Sequence, residues 1–121
     1  MKKYKLIVGI DVSKNKLDLC MMAEDSSKKQ FTIDNNPKGY RQMEKEMKSF
    51  PKEECLFCME HTGVYAMPLC YWLEQNSMNY CLVPALEIKR SMGIKRGKSD
   101  TADAFAIATF AYRRQSELVC F

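Results

Sequence analysis

The sequence predicts an α/β domain built on a mixed sheet, with elements in the order β-β-β-α-β-α-β-α-α and helices on both faces. Three observations carry this. Two short apolar runs, Tyr4 to Asp11 and Cys55 to Met59, suit strands buried on both faces. A three-strand meander occupies the first third of the chain. Strands and helical patterns then alternate, which places later strands parallel and helices across the sheet.

After Tyr4 to Asp11, Ser13 to Lys16 makes a turn and Leu17 to Ala23 returns as the second strand. Asp25-Ser26-Ser27 turns again into a short third strand, Gln30 to Asp34. Asn36-Pro37 opens a helix, with Asn as N-cap and Pro at the first helical position. Its stripe is Tyr40, Met43, Met47 and Phe50, and Pro51 stops it. Cys55 to Met59 follows, finishing at Glu60. Gly63 to Gln75 reads as a helix with Leu69, Trp72 and Leu73 inward and Pro68 in its first turn. Tyr80 to Val83 is the fifth strand, closed by Pro84. A short helix spans Leu86 to Met92, and Ala-rich sequence from about Ser99 to Arg114 forms the last helix.

The length of 121 residues, with 46% hydrophobic and 28% charged, fits one globular domain over 1–121. The net charge of +4 is too small to name a partner. Met1-Lys2-Lys3 precedes too short an apolar stretch for a signal peptide, and no run approaches the ~20 residues of a membrane span. We therefore expect a cytoplasmic protein with no membrane partner. Six cysteines without secretory context read as reduced core residues. Cys55 and Cys58 form a C-x-x-C pattern, but on a strand they point to opposite faces. Nine methionines read mostly as core filler.

Asp11 and Glu60 end the two buried strands, and carboxyl ends of parallel strands share one edge where ligand crevices form. Asp100 and Asp103 open the last helix at i and i+3 and share a face, with Ile107, Phe110 and Ala111 continuing it against the sheet. Four converging acids repel unless cations intervene. Mg²⁺ or Mn²⁺ is the expected compensation, and two such ions about 4 Å apart assist phosphodiester cleavage. Each acid also has a plainer reading, as turn former, N-cap or helix-dipole partner. Asp18, Asp34 and Glu74 also lie near element ends and receive no role.

Three blocks carry a resemblance: Val8-Gly9-Ile10-Asp11-Val12-Ser13-Lys14 with Leu17-Asp18, then Met59 to Tyr65, then Lys98-Ser99-Asp100-Thr101-Ala102-Asp103-Ala104. In this order and spacing the chain resembles the N-terminal domain of insertion-sequence transposases related to Piv-type DNA invertases, a bridge-RNA-guided recombinase family. The resemblance implies a ribonuclease-H-like fold similar to the RuvC resolvase. It also implies a DEDD metal site at Asp11, Glu60, Asp100 and Asp103, with DNA and a structured guide RNA as partners and a homo-oligomer in the full-length context. Ser99 stands where the family often has Thr. The family also carries a second domain with a nucleophilic serine, reached through a helical coiled-coil insertion. The chain ending at Phe121 is expected to lack that half, so transposition by it alone is in doubt.

From Ile88 to Ser99 the chain carries Lys89, Arg90, Lys95, Arg96 and Lys98 and no acid, leading directly into Asp100. Such a segment suits phosphate-backbone contact, with a solvated basic loop as the alternative. Arg113 and Arg114 either extend that surface or favour the helix C-terminus. His61 beside Glu60 is a proton-carrier or supporting candidate, or a surface histidine. Tyr65 is expected in the core, with base stacking as its alternative, and Gly63 is expected to permit close approach. The leading function is a metal-dependent DNA-processing domain. A noncatalytic nucleic-acid-binding or oligomerisation module is the alternative. An actin- or sugar-kinase-like phosphotransferase fits less well, because the turn Val12 to Lys16 has no glycine to cradle phosphates.

Overall fold

The computed structural model describes residues 4–25, 27–60, 63–92 and 103–115; the side chains of residues 85, 89, 91 and 92 also fall outside that set. Five strands form one sheet in the order β3-β2-β1-β4-β5: β1 Leu6–Val12, β2 Lys16–Ala23, β3 Lys28–Asp34, β4 Cys55–Glu60 and β5 Asn79–Val83. β1 pairs antiparallel with β2, and β2 with β3, whereas β1–β4 and β4–β5 are parallel. The mixed sheet follows from the sequence: tight turns join the first three strands, and helical crossovers deliver the last two.

Alternation along the central strands divides the core in two. Leu6, Val8 and Ile10 join Phe57 and Met59 on one face, beneath helix α1 (Pro37–Glu46) and helix α2 (Met67–Gln75). Ile7, Leu56 and Cys58 belong to the other face, with Ile88 of α3 (Ala85–Met92) and Ile107 and Phe110 of α4 (Ala104–Arg114). All six residues of β4 are buried, as a strand covered on both sides requires. Each large apolar side chain so buried contributes about 1.5–3 kcal/mol. Cys55 and Cys58 lie in opposite clusters, so the C-x-x-C pair is split by the sheet.

Asn36 caps α1 by accepting from the Gly39 amide at 3.0 Å, and Pro37 follows it. The helix stops at Glu46, one turn short of the expected stripe, and Phe50 packs on the core from beyond it. The helix expected from Gly63 begins instead as a 3-10 turn, Gly63–Ala66, before α2. That change of pitch rotates the segment and leaves Val64, Met67 and Tyr71 exposed. Trp72 is half-buried against Tyr40, ring centroids 5.6 Å apart. β3 begins two residues earlier than expected and forms one edge of the sheet, with Lys28, Lys29, Gln30 and Thr32 exposed. Among the described residues, no helix is long and apolar enough to cross a membrane.

Candidate metal centre

β1 and β4 lie side by side and parallel, so Asp11 and Glu60 emerge at the same edge. Their paired register ends at Ile10 and Met59, and the two acids are the next residue on each strand. Strand alternation puts Asp11 on the face of Ile7 and Gly9, and Glu60 on the face of Leu56 and Cys58. This is the side that α4 covers.

Gly9 determines how closely α4 approaches. A Cβ at that position would stand 2.4 Å from the Ala108 amide nitrogen and 2.5 Å from the Ala104 carbonyl oxygen. The helix backbone therefore rests on the strand backbone, with Ala104, Ala106, Ala108 and Ala111 buried in the contact. This seat brings the start of α4 over the edge that carries Asp11.

Asp103 is the N-cap of α4, with extended backbone (φ −80°, ψ 173°), and its carboxylate accepts from the Ala106 amide at 2.8 Å. The expectation that Asp100 and Asp103 both sit within the helix at i and i+3 is thus corrected for Asp103. Its side chain closes the first turn, as an exposed N-cap does. Asp100 lies outside the described residues, as does His61.

Asp11 is half-buried and its carboxyl is pushed above the usual carboxylate range. Burial is the largest cause, followed by the negative charges of Asp18, Glu60 and Asp103. Glu60 is 6% exposed, the one charged side chain in the core among the described residues. An acid that resists ionising beside three others is the electrostatic counterpart of a cation site. As arranged, however, no group of three or more His, Cys, Asp or Glu among the described residues is gathered closely enough to hold a metal ion. Asp103 is turned to its helix, where it caps the Ala106 amide. In kind, the all-oxygen donor set of Asp11, Glu60 and Asp103 fits a hard divalent cation.

Two residues at this edge had no role assigned from sequence. Asp18 pairs with Asp11 across the β1–β2 ladder, and the Thr32 hydroxyl donates to its Oδ1 at 2.6 Å. Asp18, Gln30, Thr32 and Asp103 line one cleft beside β2 and β3. Its signal was the polar break in Leu17-Asp18-Leu19, on the same strand face as Cys20. Asn35, between β3 and α1, donates from Nδ2 to the carbonyls of Ser13 at 2.9 Å and Tyr65 at 3.1 Å. Only the fold brings those partners together, so no local pattern announced it.

Tyr65 is 46% exposed, which overturns its expected core position. Gly63 adopts φ +82° and a Cβ there would meet nothing within 4 Å, so it serves the turn and not a close approach. Of the basic residues, Arg90 is exposed on α3 and Lys89 lies on the same helix, its side chain outside the described set. Lys95, Arg96 and Lys98 fall outside the described residues. Arg114 lies over the Phe110 ring at 5.3 Å.

Solved structures share this architecture. Thermus thermophilus RuvC in complex with a Holliday junction substrate aligns with a TM-score of 0.57 at 14% identity, covering 98% of this chain and all of that one. A second structure of the Thermus thermophilus protein aligns at 0.55 with 15% identity, covering 96% of this chain and 99% of that one. At these identities the likeness establishes a RuvC-like fold. The pilin gene-inverting protein of Moraxella bovis is 27% identical over 119 residues, 94% of this chain but 36% of that protein's length. The chain therefore spans about a third of that relative. The model of the IS110-type DEDD family, described as "Transposase", matches residues 8–119. With nearly its whole length inside that match, the chain belongs to the IS110 DEDD transposase family.

Proposed function

We propose that this domain processes DNA with divalent metal held by Asp11, Glu60, Asp100 and Asp103. The observation that carries the reading is the geometry of one sheet edge, where Asp11 and Glu60 follow the paired ends of adjacent parallel strands and Asp103 caps the helix seated on Gly9. Bound there, a pair of Mg²⁺ or Mn²⁺ ions would supply charge neutralisation, water activation and stabilisation of the leaving oxygen. The chain's own contribution is positioning. Asp11 and Glu60 are fixed by adjacent strands, and Asp103 by the Gly9 seat of α4. Lys89, Arg90, Lys95, Arg96 and Lys98 are assigned to the phosphate backbone, as a basic run unbroken by any acid suits, and His61 to the support of Glu60. DNA is the partner, as the Holliday junction is for the RuvC structure. Residues 1–121 form one domain acting in the cytoplasm, with a structured guide RNA and a second copy of the chain as further partners.

The second reading is a noncatalytic nucleic-acid-binding or oligomerisation module. Thermal denaturation with added Mn²⁺ separates the two. The metal reading expects a raised melting temperature that Asp11→Asn largely removes. An unresponsive domain, or an equal response in the variant, leaves the noncatalytic module.

A further inference from the structure

The backbone pairing leaves a seam between the two strand-end acids. Asp11 remains in register with β2, whose pairing to β1 extends to Val12 and Leu17. Glu60 remains in register with β5, opposite Val83. The register between β1 and β4 stops one residue earlier, at Ile10 and Met59. Each acid is tied to its outer neighbour, while the line between them is where the sheet ends. Two carboxylates at such a seam push it open, most strongly where they are partly desolvated.

Asn35 spans this seam. Its amide group donates to the Ser13 carbonyl, two residues beyond Asp11, and to the Tyr65 carbonyl, in the turn that follows Glu60. The side-chain carbonyl is itself held, accepting from the Tyr40 hydroxyl at 2.5 Å. Tyr40 is buried in the core, which anchors the clamp. The Asn35 backbone amide also donates to the Asn15 carbonyl at 2.9 Å, fixing the residue to the first turn whatever its side chain. A single amide with two N–H donors suits this task, since it satisfies two carbonyls and adds no charge near the acids.

We propose that Asn35 is a positioning residue that clamps the loops after β1 and β4 together, so that Asp11 and Glu60 present their carboxylates to one metal site. This rests on the metal-dependent reading above. The residue acts through the two loops and touches neither metal nor DNA.

The test uses the full chain, with Mn²⁺ alone as the probe. Asn35→Ala and Asn35→Ser are titrated by thermal shift, and amide hydrogen exchange is followed at residues 13–16 and 63–66. Both variants are expected to raise the Mn²⁺ midpoint about tenfold, the scale of losing a residue that orients a ligand. The response at saturating metal persists, and exchange quickens in both loops. Tyr40→Phe, which removes one anchor and leaves both donor bonds, shifts the midpoint by about twofold at most. A merely structural residue lowers the melting temperature with an unmoved midpoint, and that result overturns the proposal. Unchanged exchange in the two loops overturns it as well, independently of metal. The underlying reading fails separately, when Asp11→Asn responds to Mn²⁺ as the wild type does.

Discussion

Asp11 and Asp18 face each other across the β1–β2 ladder, and only Asp18 has the Thr32 hydroxyl to hold its charge. Asp11 carries the cost, its carboxyl raised first by burial and then by the Asp18 charge. In the metal-free protein this is a stability penalty with a definite sign. A carboxyl raised on folding binds more protons folded than unfolded between its two pKa values, so stability falls as pH rises through that window. The penalty is complete above the folded value and disappears near pH ~4.

Asp11→Asn is therefore expected to raise the melting temperature of the metal-free domain at neutral pH. The gain should shrink as the pH is lowered toward 4. Thermal melts in chelator across that range check it. Asp18→Asn should lower the Asp11 pKa, read from its carboxyl carbon shift by NMR titration.

Gly9→Ala should destabilise through overpacking, by about 1–3 kcal/mol or more, because the new methyl meets the backbone of α4 and not a movable side chain. Denaturant melts measure the loss. A neutral result would mean that α4 does not rest on β1 as described.

Asp103 combines a capping bond with a ligand's chemistry, and two substitutions separate them. Asp103→Ala should cost about 1 kcal/mol as a lost N-cap. Asp103→Ser keeps a capping oxygen and should recover most of that stability while losing part of the Mn²⁺ response. Recovery of both would relieve Asp103 of any metal role.

Changing Lys95, Arg96 and Lys98 to Ala should weaken DNA binding and reduce the slope of log affinity against log salt by up to about 0.9 per lost phosphate contact. Fluorescence anisotropy at several salt concentrations reads the slope. Arg90→Ala, on an exposed face of α3, tests whether the interface extends along that helix.

The sheet was legible wherever burial wrote itself into consecutive residues. Ile7 with Val8, and Leu56 with Phe57, announce double-sided strands, and the terminal acids announce an edge. The start of α4 was not legible because Asp100 and Asp103 are both competent caps in an Ala-rich context. Tertiary contact with Gly9 bears on which turn the helix begins from, and Gly9 is distant in sequence. Tyr65 was misplaced because a 3-10 turn shifts its face relative to a continuous helix. Asp18 and Asn35 escaped for a common reason. Their partners lie 14 and 30 residues away, at Thr32 and Tyr65, so their chemistry exists only once strands are paired.

The flank of the sheet formed by β3 has a consequence for assembly. An exposed strand edge is an invitation to pair with another chain, and lysines along it are a means of refusing. Lys28 and Lys29 at the open end of β3 disfavour a sheet running on from one copy into the next. Each copy then keeps a separate five-stranded sheet, with its acidic edge carried on its own strands.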